Sequence, residues 1–271
     1  MKSLKWIAVL GLTVWAGAAA AQDCPKDLDT VTPGKLTVAV TTFAPYSFMD
    51  AQNNLSGIDG DIVNALAKDM CLTVQPLVVD PAAAIQSVIA GRADLTIGDW
   101  YRTAERAKVM DFSAPLYLDS MGIYSKTGSA KVEDLVGKKV GTVQGYLWVS
   151  DLQKLLGSDL QLYPSSVNLH QDLKSGRIEV AVDGAAPGIL AMQRGELGDL
   201  KVVVAEPDPR VAASVQSGQV GFPMSKKAPK LLAALDAALD GMKKDGEIVK
   251  ILGTYGLQPS VADTGAPRLI E

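Results

Sequence analysis

The sequence predicts an α/β protein of two lobes, because strand and helix patterns alternate along the chain and the same order of elements occurs twice. Apolar residues recur at a period of two in the predicted strands and of about 3.6 in the predicted helices. In the first half this gives strand 36–40, helix 58–70, strand 72–79, helix 82–90 and strand 93–97. Such alternation is typical of a parallel sheet covered by helices.

The second half of the chain repeats this order. Its predicted elements are strand 139–143, helix 147–156, strand 160–163, a helix near 170–175, strands 178–182 and 202–204, an extended run 219–224, and helices 230–244 and 247–255. Segments 91–95 (GRADL) and 176–180 (GRIEV) are near copies, each with a helix-ending glycine, an arginine and the start of a buried strand. This duplication predicts two lobes with a cleft between them.

Residues 1–21 have the pattern of a secretory signal peptide: a basic start, an apolar run over 6–16 and small residues before a predicted cleavage site at Gln22. Export places a protein in an oxidising compartment such as the periplasm, where disulfides persist. We therefore expect Cys24 and Cys71 to form a disulfide. The competing interpretation leaves both as free thiols.

Composition and charge argue against several classes of function. The chain has 30 acidic and 26 basic residues, a net charge of -4, whereas a nucleic-acid-binding protein favours a basic face. Two cysteines and the single His170 cannot supply the four ligands of a zinc site. His170 is predicted near an exposed helix start without a neighbouring nucleophile, and the sequence lacks the G-x-S-x-G motif of hydrolases. We expect no metal, no cofactor and no catalytic residue.

Ligands of open α/β sheets bind beyond the carboxyl ends of the strands, which here points to residues 98–106 and 183–186. In the first segment, Thr103 is predicted to cap a helix with Arg106 at its third position. A guanidinium beside the free N–H groups of a helix start forms a bidentate receptor for a carboxylate. The competing interpretation pairs Arg106 at the surface with a neighbouring carboxylate such as Glu105.

Two aspartates are candidates for binding a cationic group. Asp99 follows a buried strand and suits an ammonium group, although capping the turn is an equally good role for it. Asp183 follows the corresponding strand of the second half, which gives the expectation that it faces Asp99 across the cleft. Residues 141–145 end a strand and open a helix, so the backbone at Gln144 and Gly145 is suited to hold an anionic or carbonyl group.

The scarce aromatic residues gather at the same places. Phenylalanine, tyrosine and tryptophan make up 6% of the chain, so their concentration in turns after strands and at a helix start is informative. Such rings can sandwich an apolar or cationic group, with a cation–π attraction of about 0.5–2 kcal/mol. The rings concerned are Phe43, Tyr46, Trp100, Tyr101, Tyr146 and Trp148. For Trp148, packing inside its lobe is the competing interpretation.

A set of short motifs extends over the predicted mature chain: GIDGDI at 57–62, AGRAD at 90–94, TAER at 103–106, DFSAPLY at 111–117, LVGKKVGTVQG at 135–145, LKSGR at 173–177 and KKDG at 243–246. Their order and spacing resemble the periplasmic polar-amino-acid-binding proteins of ABC importers, a group that includes the histidine- and lysine/arginine/ornithine-binding proteins. The resemblance implies a type II periplasmic-binding-protein fold, with two α/β lobes that close about two hinge crossings. It implies lobe 1 at 22–118 and 219–271 and lobe 2 at 119–218.

The resemblance also assigns roles to individual residues. In the family, the arginine aligned with Arg106 binds the α-carboxylate of the ligand, and the aromatic residue aligned with Phe43 covers its side chain. Polar residues aligned with Asp99 and Tyr101 complete the contribution of the first lobe.

Three departures from the family pattern concern the head group of the ligand. The aspartate that binds the α-ammonium aligns with Gly184, which leaves Asp183 one residue early and, by strand alternation, pointing elsewhere. Two threonines at the second-lobe helix start are replaced by Tyr146 and Leu147, and a small hydroxyl residue is replaced by Asp99. Either Asp99 takes over the ammonium from the opposite lobe, or the ligand is a cationic compound held in an aromatic cage.

We expect a monomeric solute receptor that delivers a small amino acid or an amine-bearing compound to an ABC permease in the inner membrane. Two alternatives stay open. One is an enzyme on the same fold, similar to the cyclohexadienyl dehydratases, which would need an acid–base pair in the cleft. The other is a sensor or accessory subunit that presents its ligand to another periplasmic protein.

Overall fold

The computed structural model describes residues 24–270 and shows two α/β lobes joined by a two-stranded ribbon. The predicted signal peptide, residues 1–21, lies outside this range. Each lobe contains one five-stranded sheet, and a short hairpin adds two strands to the first lobe. Within the described range, no helix has the length and apolar character needed to cross a membrane.

Strands and helices alternate along most of the described chain. The strands are β1 (Lys35–Val40), β2 (Phe48–Met49), β3 (Leu55–Ser56), β4 (Thr73–Val78), β5 (Leu95–Ile97), β6 (Asp111–Phe112), β7 (Leu118–Asp119), β8 (Met121–Ser125), β9 (Val140–Val143), β10 (Leu160–Tyr163), β11 (Val180–Gly184), β12 (Lys201–Val204), β13 (Gly218–Gln219) and β14 (Pro223–Met224). The helices are α1 (Ile58–Asp69), α2 (Pro81–Ile89), α3 (Ala104–Ala107), α4 (Val149–Leu156), α5 (Ser166–Ser175), α6 (Ala185–Gln193), α7 (Ala212–Val215), α8 (Pro229–Lys244) and α9 (Glu247–Thr254).

The first lobe is built on a sheet with the strand order β4-β1-β5-β14-β6. As predicted, β1 pairs in parallel with β4 on one side and with β5 on the other. β14 runs antiparallel to β5, which differs from the wholly parallel sheet that the sequence predicts. The reason is that β14 follows the second crossing between the lobes and therefore enters this sheet from the opposite direction.

The interior strand β1 is covered on both faces, which fixes where its carboxyl end points. Val38 and Val40 pack in the main core with Ile62 of α1, whereas Ala39 packs on the other side with Val88 of α2. A strand buried on both faces has a nearly continuous apolar sequence. The segment that follows β1 is thereby held at the edge of the lobe that faces the cleft.

The second lobe has the strand order β10-β9-β11-β8-β12. β9 pairs in parallel with β10 and β11, and β8 runs antiparallel to β11 and β12. The glycines of the two near-copied segments, Gly91 and Gly176, both end helices with a positive φ, at 70° and 76°. Their predicted role as helix-ending glycines is confirmed.

The ribbon between the lobes consists of β7 and β13, which pair antiparallel with Gly218 opposite Asp119. A Cβ at Gly218 would lie 2.6 Å from the ring of Tyr101, so only glycine allows this ring to pack against the ribbon. The ribbon is therefore in direct contact with a residue of the predicted ligand cleft.

The structure corrects the expected position of His170. Helix α5 begins at Ser166, because the Ser165 hydroxyl accepts a hydrogen bond from the Asn168 N–H. His170 therefore lies in the middle of the helix and not near an exposed start.

Helix α6 is not predicted from the sequence, since Pro187 and Gly188 interrupt its pattern. Pro187 lies in the first turn, where a missing N–H costs no helical hydrogen bond. Gly188 lies against Tyr124, and a Cβ there would come within 2.3 Å of that ring. Tertiary packing thus accounts for a glycine that, by sequence alone, argues against a helix.

The predicted disulfide between Cys24 and Cys71 is present, with 5.6 Å between the two Cα atoms. It ties the beginning of the described chain to the turn between α1 and β4. The two cysteines are 47 residues apart, and a cross-link over such a loop stabilises mainly by restricting the unfolded chain.

We predict that Cys71→Ser lowers the free energy of unfolding by about 2–4 kcal/mol, because it releases this loop in the unfolded state. Denaturant titration of the oxidised proteins measures the difference. A thiol reductant should destabilise the wild-type protein to a similar degree and leave Cys71→Ser unchanged. Equal stability of the oxidised wild type and the variant would contradict a stabilising role for the bond.

Candidate functional site

A cavity of about 1030 Å³ lies between the lobes, beyond the carboxyl ends of β1, β5, β9 and β11. It contains most of the residues that the sequence singles out. The first lobe contributes Thr41, Thr42, Phe43, residues 79–82, Ile85, residues 98–101 and Arg106, and the second lobe contributes residues 143–148, residues 164–166 and Gly184. A smaller cavity of about 470 Å³ lies against α8, and its lining has no aromatic or basic side chain.

Arg106 lies in the wall of this cavity, held by its own helix and by an aromatic ring. The Thr103 hydroxyl accepts a hydrogen bond from the Arg106 N–H at 3.2 Å, so the predicted N-cap is present. The guanidinium donates to the Tyr101 carbonyl at 2.8 Å and lies 4.9 Å from the ring centroid of Trp100. These two contacts restrict the orientation of the planar guanidinium.

The charge of Arg106 has no ion-pair partner among the described residues. The neighbouring Glu105 pairs with Lys108 instead, which argues against a surface ion pair of Arg106 with this carboxylate. Burial lowers the pKa of Arg106 to about 10, and the charge of Asp99 opposes this shift. The side chain is therefore a charged, partly desolvated cation at neutral pH that is available to an anionic group.

Asp99 follows β5 in a turn with φ of 60°, a conformation that aspartate tolerates better than most residues. The turn is closed by Asp59 of α1, whose carboxylate accepts the N–H groups of Gly98 and Asp99, each at 2.9 Å. The carboxyl of Asp99 itself makes no capping bond, and its Oδ1 atom is buried without a hydrogen-bond partner among residues 24–270. The Asp99 side chain lines the cavity, and its Oδ1 atom can therefore accept a hydrogen bond from a ligand.

A second carboxylate of the site, Asp119, was missed from the sequence. It lies on the hinge strand β7, is 3% exposed, and accepts hydrogen bonds from the hydroxyls of Tyr46 at 3.0 Å and Tyr101 at 2.6 Å. An acidic residue within the crossing that the family resemblance predicts near 118–122 was the available signal. Because it falls outside the strand-end segments, its proximity to the cleft could not be foreseen.

The carboxyls of Asp99 and Asp119 interact directly, and the pKa values of both are raised. Burial raises the pKa of Asp99 well above its usual value, and the charges of Asp119 and Asp59 raise it further. Burial also raises the pKa of Asp119, against the opposing effect of the two tyrosine hydroxyls that donate to it. Buried carboxyls so close together favour sharing a proton or a cation.

Aromatic rings form much of the remaining wall, as predicted, with one exception. Tyr146 lies 5.1 Å from Trp148, and Tyr101 lies 6.4 Å from Trp148 on the other side, measured between ring centroids. Trp148 is 3% exposed and its indole N–H donates to Thr142, so it packs inside its lobe while one edge lines the cavity. Phe43 lines the cavity on the first-lobe side.

Tyr46 does not line the cavity, contrary to the prediction. It is fully buried behind Phe43, at 5.3 Å between ring centroids, and stacks on Tyr117. Its hydroxyl donates to Asp119. Tyr46 therefore supports the site from behind and is not placed to contact a ligand.

Asp183 also points away from the cavity, so the expectation that it faces Asp99 is wrong. One carboxylate oxygen accepts the N–H of Gly184, and the other lies 3.0 Å from Nε2 of His170. Strand alternation explains this direction, because β11 presents Gly184 to the cavity and Asp183 to α5.

The second-lobe wall is electrically neutral. Gln144 and Gly145 are exposed at its edge, in the segment that links β9 to α4. At Gly184 the cavity wall has no side chain at all, and a Cβ built there would lie 3.3 Å from Oδ2 of Asp119 and 3.9 Å from the ring of Phe43. Within residues 24–270, no group of three or more His, Cys, Asp and Glu side chains is placed to hold a metal ion.

Comparison with known proteins gives one family. A family model described as bacterial extracellular solute-binding proteins, family 3, matches residues 36–258. The lysine/arginine/ornithine-binding periplasmic protein of Escherichia coli (strain K12) is 27% identical over 224 residues, covering 79% of this chain and 84% of that protein. The histidine-binding periplasmic protein of the same strain is 28% identical over 228 residues, covering 79% and 84%.

Solved structures agree with this assignment. A structure described as an ancestral arginine-binding protein bound to glutamine is 30% identical, with a TM-score of 0.71, and covers 83% of this chain and 98% of that chain. A histidine kinase sensor domain with similarity to periplasmic binding proteins is 23% identical, with a TM-score of 0.71, over 82% of this chain and 95% of that chain. The second likeness shows the fold alone.

We predict that Asp99→Asn increases the free energy of unfolding of the ligand-free protein at pH 7 by about 1 kcal/mol. The amide keeps a donor for Asp119 and removes the need to bury a carboxyl next to two others. Because the pKa of Asp99 is raised in the folded state, its carboxyl makes folding less favourable as pH rises from about 4 through the raised pKa. The gain should therefore grow over that range and shrink at lower pH.

Denaturant titrations at several pH values measure this gain. Asp172→Asn is the matched control, because hydrogen bonds from Arg177 and Tyr163 lower the pKa of Asp172. Loss of this carboxylate should therefore destabilise the protein at neutral pH. A destabilised Asp99→Asn at pH 7 would show that the Asp99 carboxylate stabilises the fold.

Proposed function

Because the chain belongs to the bacterial extracellular solute-binding proteins of family 3, we propose that it binds a small α-amino acid or a related amine-bearing solute between its two lobes. The observation that carries this proposal is the guanidinium of Arg106, which lies in the wall of an aromatic cavity without an ion-pair partner among residues 24–270. A guanidinium in this setting is suited to bind a carboxylate through two parallel hydrogen bonds. The α-carboxylate of an amino acid provides such a group.

The aromatic rings and the second lobe are placed to contact the side chain of the ligand. Phe43 and Trp100 on one side and Tyr146 on the other can enclose a side chain. The exposed segment at Gln144 and Gly145 can reach the ligand from the second lobe as the lobes close about β7 and β13. These residues extend the assignment from an anion site to an amino-acid site.

The names of the relatives support a proposal for the cellular role. Proteins of similar sequence are named as periplasmic binding proteins for lysine, arginine and ornithine and for histidine, and as a binding protein for cystine. We infer that this chain works as a monomer in the periplasm, after removal of residues 1–21, and delivers its ligand to the membrane permease of an ABC importer.

A second candidate, an enzyme on the same fold, is favoured by one observation. Asp99 and Asp119 are adjacent carboxyls with raised pKa values at the cavity, an arrangement suited to acid–base chemistry. A bound solute recovered unchanged after prolonged incubation supports the receptor, and its conversion supports the enzyme. Chromatography of the incubated solute distinguishes the two.

We predict that Arg106→Ala weakens binding of the amino-acid ligand by about 2–5 kcal/mol, since it removes a partly buried partner of the carboxylate. A thermal-shift screen of the common L-amino acids, ornithine, polyamines and quaternary amines identifies ligands, because a ligand of the folded state raises the melting temperature. Calorimetric titration then measures the affinity of each variant.

Arg194→Ala is the matched control, because Arg194 is exposed at the end of α6 and away from the cavity lining. It should bind as the wild type does. Undiminished affinity in Arg106→Ala would refute the carboxylate site, and an Arg106-independent shift by amines that lack a carboxylate would indicate a different class of ligand.

A further inference from the structure

The charges that line the cavity all come from the first lobe. They are Asp80, Asp99 and Arg106, and Asp80 is engaged in capping α2 through the N–H of Ala83. No charged side chain of the second lobe, as far as the structure describes it, lines the cavity. A zwitterionic ligand therefore needs a partner for its ammonium group on the side of the first lobe or of the hinge.

Gly184 opens the cavity towards such a partner. It lines the cavity at the carboxyl end of β11, and the missing side chain leaves a space that borders Oδ2 of Asp119. Its backbone is compatible with any residue, with φ of -55°, so backbone conformation does not require glycine here. Because Gly184 has no side chain, a ligand group in the cavity can reach the carboxylate of Asp119 directly.

The two carboxyls at this place combine a concentrated negative charge with one unsatisfied oxygen. Asp119 accepts a tyrosine hydroxyl on each oxygen, and it also interacts with the backbone N–H of Ser120 and with the carboxyl of Asp99. Asp99 adds a buried Oδ1 without a partner among the described residues. An ammonium group supplies a donor for that oxygen and a positive charge for the two carboxyls.

We propose that Asp119 of the hinge strand β7, together with Asp99, binds the α-ammonium group of the ligand in the space beside Gly184. This inference rests on the proposed amino-acid function and names the second half of its head-group site. Asp99 and Arg106 line the same cavity, so the two halves are placed to act on the carboxylate and the ammonium of one α-amino acid. The pKa values of both aspartates are raised because ionising these buried carboxyls costs free energy, and a bound cation would reduce this cost.

Matched pairs of probes test this proposal by calorimetric titration. L-arginine, L-lysine and L-glutamine are each compared with the acid that lacks only the α-ammonium group: 5-guanidinopentanoic acid, 6-aminohexanoic acid and glutaramic acid. The wild type should bind at least one amino acid and prefer it to its partner by about 30-fold or more. In Asp119→Asn this preference should fall towards unity, while the affinity for the des-amino acid stays unchanged.

Two further variants make the result independent of any folding defect in Asp119→Asn, whose tyrosine contacts change. Gly184→Ala places a methyl group 3.3 Å from Oδ2 of Asp119, a tight but tolerable contact, and should reduce the same preference without altering des-amino binding. The control is Asp50→Asn, which also removes one carboxylate from the first lobe. Because Asp50 lies in the exposed β2–β3 turn, this variant should leave the preference intact.

Each outcome decides between the two proposals. If neither these three nor any other common L-amino acid of the thermal-shift screen binds to the wild type, the amino-acid function fails, and this inference fails with it. If an amino acid binds with Arg106 dependence but Asp119→Asn and Gly184→Ala both keep the preference for the α-ammonium, only this inference is overturned. An equal loss for the amino acid and its des-amino partner would overturn it as well, and would assign Asp119 to the general structure of the hinge.

Discussion

The first-lobe half of the site depends on the buried carboxylate of Asp59. Its two oxygens accept the N–H groups of Gly98 and Asp99 and the hydroxyl of Tyr117. These bonds hold a turn in which Gly98 and Asp99 both have positive φ, at 129° and 60°, a conformation that costs free energy when a side chain is present. Because Trp100, Tyr101 and α3 follow this turn directly, the direction of every ligand-facing group in the segment is set by the first turn of α1.

The C-terminal segment ties the same region to the hinge. The N–H of Ile270 donates to the Arg102 carbonyl at 3.0 Å, and the Ala104 N–H donates to the Ile270 carbonyl at 2.8 Å, at the start of α3. Two residues earlier, the N–H of Arg268 donates to the side chain of Gln219 on β13. The helix that carries Arg106 and one strand of the ribbon are thus held by one short stretch of chain, so that the anion site and the hinge keep a fixed relation.

Local patterns account for what the sequence predicted well. The Thr103 cap, the helix-ending Gly176 and the alternation in β1 each depend on neighbouring residues, and each is found in the structure. The position of Arg106 at the cavity follows from the same local rules, since a helix start at the end of a core strand can face only the cleft. The disulfide was predictable from two cysteines and an export signal.

What the sequence could not predict depends on contacts between distant residues. Asp119 enters the site because the ribbon brings β7 beside the strand ends, and Tyr46 leaves the cavity because its hydroxyl reaches this carboxylate. For Asp183 the sequence supports two opposite directions, towards Asp99 by its place after the strand and away from the cleft by strand alternation, because a difference of one residue reverses the face.

The charge distribution separates the tasks of the two lobes. With the ligand bound as proposed, its carboxylate and ammonium both find their partners on the first lobe and the hinge, which can act before closure. The second lobe then adds a neutral wall that includes Tyr146 and Trp148. Closure excludes water, and electrostatic interactions strengthen as the surrounding dielectric constant falls. The neutral wall can therefore increase the affinity for a zwitterion without supplying a charge of its own, while the shape of that wall determines which side chain fits.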